Sequence, residues 1–333
     1  MEEKKTLKKV RALGLTSGGL DSILSALVLR EQGIDVTWVS FTTPFFSSHA
    51  AQKAADRYKI PLMVVDITEI YIEMLKNPPA GYGKNMNPCM DCHVLMFAEA
   101  GRIMVQEGFD FLFSGEVAGQ RPFSQNKRSL RYVEKHSGFD GSILRPLSAG
   151  VLPVTEAERQ NLVDRNRLGS ISGRSRKKQI EMAKQFNVVD YPAPAGGCRL
   201  TDSAFSARLR DLFDLVPDFG KRDLYLLHHG RHFRLDPGTR IVVGRSEADN
   251  GMIETLYVPE TDTFMRMVDL PGPLVLIPRA VSPDMVEWAA AICASYTKAK
   301  AGQEVQVLVC SPAGESVIQV KALDPEGFQD LLI

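Results

Sequence analysis

Leu15-Thr16-Ser17-Gly18-Gly19-Leu20-Asp21-Ser22 decides how the first part of this 333-residue chain folds. Ahead of it, residues 10–15 are short and mostly apolar, the pattern of a buried strand. Behind it Ile23, Leu24, Leu27 and Val28 recur at helical spacing, and Gly33 stands where a helix stops. A strand, a glycine turn and a helix N-terminus thus follow one another. Free backbone N–H groups and the positive end of a helix dipole then face one point, which suits a phosphate. Gly18 and Gly19 let an anion approach the backbone, and the hydroxyls of Ser17 and Ser22 add donors. No lysine follows the glycines, so this is not the loop that grips a terminal phosphate with a lysine. Asp21 puts a carboxylate beside the anion, and two like charges there need a cation between them. Magnesium is the expectation, with plain N-capping of the helix as the alternative.

The rhythm continues outward. Residues 35–41 are β-branched and aromatic, residues 50–58 read as a helix capped by Ser47 or Ser48, and residues 61–67 as a third strand. This β-α-β-α-β order predicts an α/β fold, a parallel sheet covered by helices, with ligands at the carboxyl ends of the strands. A fourth strand over 109–113 ends in Ser114-Gly115-Glu116 and runs into a polar segment holding Gln120 and Arg121. A fifth, over 143–147, carries Arg145 near its tip. Either arginine can offset charge on a phosphate if its tip reaches the nucleotide, and either can instead be salt-bridged structure. Thr155 with Glu158 forms a capping box for a helix over 156–164.

Cys89 and Cys92 stand three apart at the start of a predicted helix reaching residue 104, hence on one face. A helix N-terminus favours the thiolate, and Asn87-Pro88 suits a helix start. Cys198 follows Gly196-Gly197, a backbone flexible enough to reach the same place. Three thiolates hold a cubane iron–sulfur cluster and leave one iron open; a cluster-free persulfide pair is the competing chemistry. Zinc wants a fourth ligand, and His93 points off the shared face. Cys293 and Cys310 read as small buried hydrophobes, and an odd total of five cysteines argues against a disulfide framework and for a reducing, cytoplasmic setting.

Ser17-Gly18-Gly19-Leu20-Asp21-Ser22 resembles the SGGxDS signature of the PP-loop ATPases. The resemblance implies a Rossmann-like domain of the adenine nucleotide alpha hydrolase (HUP) type. It implies cleavage of ATP to AMP and pyrophosphate, with a carbonyl oxygen activated as its adenylate. Thr16 to Ser22 would then hold ATP with magnesium. The segment after the second strand, at Phe41 and Thr42, would meet adenine, though Phe41 also suits the core. Ser114, Gly115, Gln120, Arg121 and Arg145 would complete the nucleotide site. Several PP-loop tRNA thiolases are similar in having a Cys-x-x-Cys pair and one distant cysteine. In these the three hold a four-iron four-sulfur cluster; other thiolases use a persulfide and a resolving cysteine. The implied reaction is adenylation of a uracil carbonyl in tRNA, then attack by sulfur held at Cys89, Cys92 and Cys198, with sulfide or a cysteine-desulfurase persulfide as donor.

Lysine plus arginine and aspartate plus glutamate each number 40, so a polyanion must be met by local patches. One such patch is Arg165, Arg167, Arg174, Arg176, Lys177 and Lys178, a solvated face or a tRNA-backbone contact. The first domain is expected over residues 1–200, with a helical connector over 201–220. Residues 221–333 then read as a smaller α+β domain: strands over 224–230, 231–235, 240–245, 265–268, 274–277 and 305–309, and a helix over 283–298. The run from Gly230 through Arg231, His232 and Phe233 to Arg245, with Val268 to Pro273, resembles the NFACT-R domain. That resemblance implies RNA contact through residues such as Arg231 and Arg245, with homodimerisation as the alternative role. Residues 1–5 lack the apolar core of a signal peptide, and no run is long enough to span a membrane. Two further classes remain open on sequence: adenylation of a small-molecule acceptor, and an RNA-binding adaptor that only senses nucleotide.

Overall fold

In chain order the first unit runs β1 (Arg11–Leu15), α1 (Leu20–Glu31), β2 (Asp35–Thr42), α2 (His49–Tyr58), β3 (Leu62–Asp66) and α3 (Thr68–Lys76). It continues with α4 (Cys89–Glu107), β4 (Phe111–Ser114), α5 (Lys127–Ser137), β5 (Ile143–Leu144), α6 (Glu156–Arg159) and α7 (Lys177–Gln185). The structure, a computed structural model, describes residues 9–121, 123–193, 198–279 and 281–333. By its contacts the chain divides into two compact units, Met1–Thr201 and Asp202–Ile333.

Among the described residues the five strands of the first unit form one sheet, order β3-β2-β1-β4-β5, with every pairing parallel. Parallel strands are covered on both faces, which is why β1 and β4 are apolar almost throughout. The core gathers Leu24, Leu29, Trp38, Phe111, Phe113 and Leu144 under α1 and its neighbours. The strand order reverses at β1, so the crevice for a ligand lies at the carboxyl ends of β1 and β4. Register sharpens this: Leu15 pairs with Ser114, so the glycine loop and Gly115-Glu116 leave the sheet side by side.

The second unit holds α8 (Ser203–Leu215), α9 (Lys221–Leu226), β6 (Arg231–Asp236), β7 (Thr239–Val243), α10 (Glu247–Thr255), β8 (Thr263–Met267), β9 (Val275–Ile277), α11 (Pro283–Ser295), β10 (Glu304–Ser311) and β11 (Gly314–Lys321). Its described strands pair antiparallel in the order β11-β10-β8-β9-β7-β6. Ile241 and Val243 face α11, while Val242 joins Leu226, Ile253 and Leu276 on the other side. The period-2 alternation of a strand is thus buried on both faces.

Several expectations are corrected. Residues 224–230 are not a strand: Asp223 accepts from the Gly220 N–H at 3.0 Å and starts α9, which buries Leu224 and Leu226. The Thr155–Glu158 capping box is present, but its helix ends at Arg159, because Asn161 turns left-handed at φ 57°. The fifth strand stops at Leu144, since Arg145 already opens a turn to Ser148. Helices α3, α5 and α10 and strand β11 add to the elements expected from the sequence. Asn126 caps α5 by accepting from the Ser129 N–H at 2.9 Å.

Trp38 is fully buried in the core of the first unit. Trp38→Ala is expected to destabilise the protein by about 3–5 kcal/mol, read as a lowered urea midpoint.

Candidate active site

The glycine loop is built as an anion cradle. Gly18 has φ 73°, and a Cβ there would strike Ala50 O at 2.2 Å, so only glycine fits. Its N–H is turned inward onto Thr16 Oγ1 at 3.1 Å. Gly19 is the N-cap of α1, and no side chain caps that helix, so its first-turn N–H groups stay open toward the crevice. Gly115 closes the back: a Cβ on it would lie 2.4 Å from Ser22 N. The loops after β1 and β4 therefore touch backbone to backbone.

Asp21 sits in the first turn of α1 without capping it. Its Oδ2 accepts from Gln120 Nε2 at 2.9 Å, while Oδ1 is buried without a hydrogen-bond partner. Burial pushes this carboxyl up, against the Gln120 hydrogen bond and the charges of Arg176 and Arg121. Gln179, wholly buried in α7, donates to Gln120 Oε1 at 2.7 Å and fixes which way that amide faces. An orphaned carboxylate oxygen beside open helix N–H groups fits a magnesium ion: Asp21 would hold it and neutralise nucleotide phosphate through it. The charge of Arg121, expected here, reaches Asp21 and opposes the rise. Arg176, expected to contact RNA, is placed here too, with Nε buried and unpartnered. Its place at the start of α7, three residues before Gln179, was the signal that the charge-run reading missed.

Arg145 does not reach out from a strand tip. Its side chain is 2% exposed and ion-paired to Glu116 Oε2 at 3.0 Å and to Glu134. Glu116 in turn accepts from Ser114 Oγ at 3.2 Å and meets His93 Nδ1 at 2.8 Å. Burial alone would raise the Glu116 carboxyl; Arg145 and His93 outweigh it and hold it at about 2. Sequence reasoning assigns Glu116 no role, and it sets His93 aside because it points off the cysteine face.

Cys89 and Cys92 occupy the first turn of α4, as expected. Asp91 fastens the preceding loop, accepting from the Ala80 N–H at 2.8 Å and the Tyr132 hydroxyl at 3.2 Å. Asn87 donates its amide to Cys89 Sγ at 3.2 Å, and Asn85 donates to Thr201 O at 2.7 Å, tying this loop to the Cys198 segment. Gly196 and Gly197, expected to free Cys198, lie outside the described residues. Cys198 and Cys89 both add to the raising of the Cys92 thiol, and Cys89 to that of Cys198, so the three sulfurs lie within electrostatic range of one another. Burial pushes the Cys92 thiol far up despite the Tyr71 hydroxyl bonded to it, and the Cys198 thiol to about 11, with the Leu200 N–H opposing. For Cys92 burial outweighs the lowering expected from the helix terminus. Among the described residues no group of three His, Cys, Asp or Glu side chains is arranged to hold a single metal ion.

The other expected residues scatter. Ser17 is exposed at the loop, Thr42 is half-buried, and Phe41 is 3% exposed within β2. Arg165 is held inside the fold by Glu158 and by the carbonyls of Ala149 and Leu152, and is not free for RNA. Arg167 bonds to Glu31 O at 2.8 Å, while Arg174, Lys177 and Lys178 are exposed. In the second unit Arg231 lies 4.7 Å over the Tyr296 ring, and Arg245 pairs with Asp249 at 2.6 Å. Cys293 is fully buried, whereas Cys310 is half-buried beside Glu315.

A family model described as Thiamine biosynthesis protein (ThiI) matches residues 8–150, the stretch that holds the glycine loop, Cys89, Cys92 and Glu116. Residues 8–150 are thus similar to the PP-loop ATPases. A second model, NFACT protein RNA binding domain, matches residues 230–331. The tRNA-specific 2-thiouridylase MnmA of Sulfurimonas denitrificans is 37% identical over 118 residues, 32% of this chain and 34% of the relative. The probable tRNA sulfurtransferase of Oceanobacillus iheyensis is 29% identical over 146 residues, 41% of this chain and 34% of the relative. A longer match, to MnmA of Christiangramia forsetii, is 24% identical over 310 residues, 79% of this chain and 76% of the relative. The chain therefore spans about a third of the length of the first two.

Gly115→Ala is expected to drive the Ser22 backbone aside and weaken MgATP binding at least about tenfold, a loss of roughly 1.4 kcal/mol, measured by calorimetric titration. The Glu116 carboxyl has a folded pKa depressed from 4.5 to about 2. Its contribution to stability is therefore complete above the unfolded value and is lost as pH falls from 4.5 toward 2. Acid titration of the fold is expected to show less destabilisation across that window in Glu116→Gln than in the wild type.

Proposed function

We propose that this protein is an ATP-dependent tRNA sulfurtransferase that thiolates a uridine. The observation that carries the reading is the convergence of Cys89, Cys92 and Cys198 within the unit that holds the anion-binding glycine loop. The names of the relatives, a tRNA 2-thiouridylase and a probable tRNA sulfurtransferase, support the substrate class.

ATP lies with its phosphates on the amides of residues 17–22 and the N-terminus of α1. Magnesium, held by Asp21, supplies charge neutralisation between that carboxylate and the phosphates. Arg121 and Arg176, whose charges reach Asp21, offset the charge that builds on the α-phosphate. A uracil carbonyl oxygen attacks that phosphorus, an O–P bond forms, and pyrophosphate leaves. The oxygen, now an adenylate, is a competent leaving group.

Cys92 is buried against Tyr71, so the half-buried Cys89 and Cys198 carry the sulfur chemistry. A persulfide on one of them attacks the activated carbon; a C–S bond forms and AMP departs. The other thiolate attacks the inner sulfur, freeing the thiocarbonyl and leaving a Cys89–Cys198 disulfide that an external dithiol reduces. A donor of the persulfide class reloads the site: the cysteine thiolate attacks the donor's outer sulfur and the donor's own thiol leaves. Arg174, Lys177 and Lys178 meet tRNA phosphates and give register without selecting the base. The second unit, matched by an RNA-binding family model, adds contact area. The compartment is the cytoplasm, consistent with the five free cysteines and with no described helix long and apolar enough to cross a membrane.

Mass-spectrometric nucleoside profiles of bulk tRNA from cells with and without the gene test the reading. Loss of one thiolated uridine is expected on deletion, with no restoration by Asp21→Asn. An unchanged profile sinks it.

A further inference from the structure

His93 is unused by the chemistry above, yet it stands where that chemistry must occur. It follows Cys92 in α4, and its Nδ1 lies 2.8 Å from Glu116 Oε1 with the side chain 24% exposed. Glu116 follows Gly115, which abuts Ser22 of the nucleotide loop. The imidazole therefore joins the cysteine turn to the nucleotide loop. A base whose carbonyl oxygen meets phosphate and whose carbonyl carbon meets sulfur has to lie between the same two elements.

Which ring nitrogen carries the proton follows from the partners of Glu116. Arg145 Nε and Ser114 Oγ both donate to its Oε2, at 3.0 and 3.2 Å. With Arg145 beside it the carboxylate is ionised, and an ionised carboxylate only accepts. Nδ1 therefore bears the hydrogen, and in the ring's neutral form the lone pair is presented at Nε2.

We propose that His93 Nε2 accepts the N3–H of the target uracil and so selects uridine over cytidine. The proposal rests on the thiolation reading above. The N3–H lies between the two carbonyls of uracil, so it flanks the reacting carbon whichever oxygen is adenylated. Cytosine carries a lone pair at N3, and two acceptors facing each other in a closed site leave both unpaired. Glu116, with Arg145 and Ser114 behind it, acts as a positioning residue that sets the tautomer.

The test uses the full chain with MgATP, a cysteine desulfurase with cysteine as persulfide donor, and dithiothreitol. The substrate is bulk tRNA from cells lacking the gene, and thiouridine and thiocytidine are counted by mass spectrometry. His93→Leu is expected to lower kcat/KM for thiouridine about tenfold while MgATP affinity is kept. His93→Asn, whose amide can donate to Glu116 and accept with its oxygen, is expected to recover part of that loss. In Glu116→Gln the oxygen of the new amide stays with Arg145 and Ser114, so its NH2 donates to Nδ1. That reverses the tautomer, and the thiocytidine-to-thiouridine ratio is expected to rise. His93→Leu with wild-type kcat/KM and an unchanged ratio overturns the inference while leaving thiolation standing. Wild-type protein that makes no thiouridine overturns the thiolation reading, and this inference with it.

Discussion

Leu15 pairing with Ser114 is the constraint on which the first unit depends. Parallel pairing of β1 with β4 sends two chain segments out of the sheet on the same edge, one register apart. The first must turn sharply into α1, and Gly18 supplies the left-handed residue that the turn needs. The second must pass so close to α1 that only Gly115 fits, with Ser22 N at its back. From this contact the polar parts take their places. Glu116 comes next in the chain, Gln120 folds back onto Asp21, and Arg145 arrives from β5 to pair with Glu116.

Two electrostatic situations sit within a few residues of each other and differ in kind. Glu116 is a satisfied carboxylate: Arg145, Ser114 and His93 occupy it and hold it ionised. Asp21 is an unsatisfied one, with an orphaned oxygen and a pKa raised by burial. A buried, unpartnered carboxylate oxygen costs stability, and a fold keeps such a group where a ligand supplies the missing charge. The contrast marks Asp21 as the ligand-facing carboxylate and Glu116 as a strut for its neighbours.

The α/β rhythm was legible because apolar strands and amphipathic helices differ in period, and because the glycine loop has one physical use. The Cys89–Cys92 turn was legible for the same local reason: spacing along one helix. Long-range pairing was not. Arg145, Arg165 and Arg176 look alike in sequence, yet one is locked between two glutamates, one holds carbonyls of a neighbouring turn, and the charge of the third reaches Asp21. Nothing local separates them, since their partners lie between 7 and 155 positions away. Residues 224–230 misled for the opposite reason. Their hydrophobicity reads as strand, but a carboxylate at Asp223 capping Gly220 starts a helix that takes in residues 224–226, and 227–230 turn out of it.

Burial at the cysteines works against the thiolate, and that bears on how sulfur is handled. A helix N-terminus stabilises a thiolate only where solvent and donors reach it; Cys92 is sealed against Tyr71, and burial prevails. Cys89 differs, being half-buried with the Asn87 amide on its sulfur. A persulfide is more acidic than its parent thiol, so loading sulfur onto an exposed thiol creates the anion that an unloaded site resists. Burial therefore disfavours the bare thiolate at Cys92 and Cys198, and under the proposed chemistry it is the persulfide anion that meets the activated carbon.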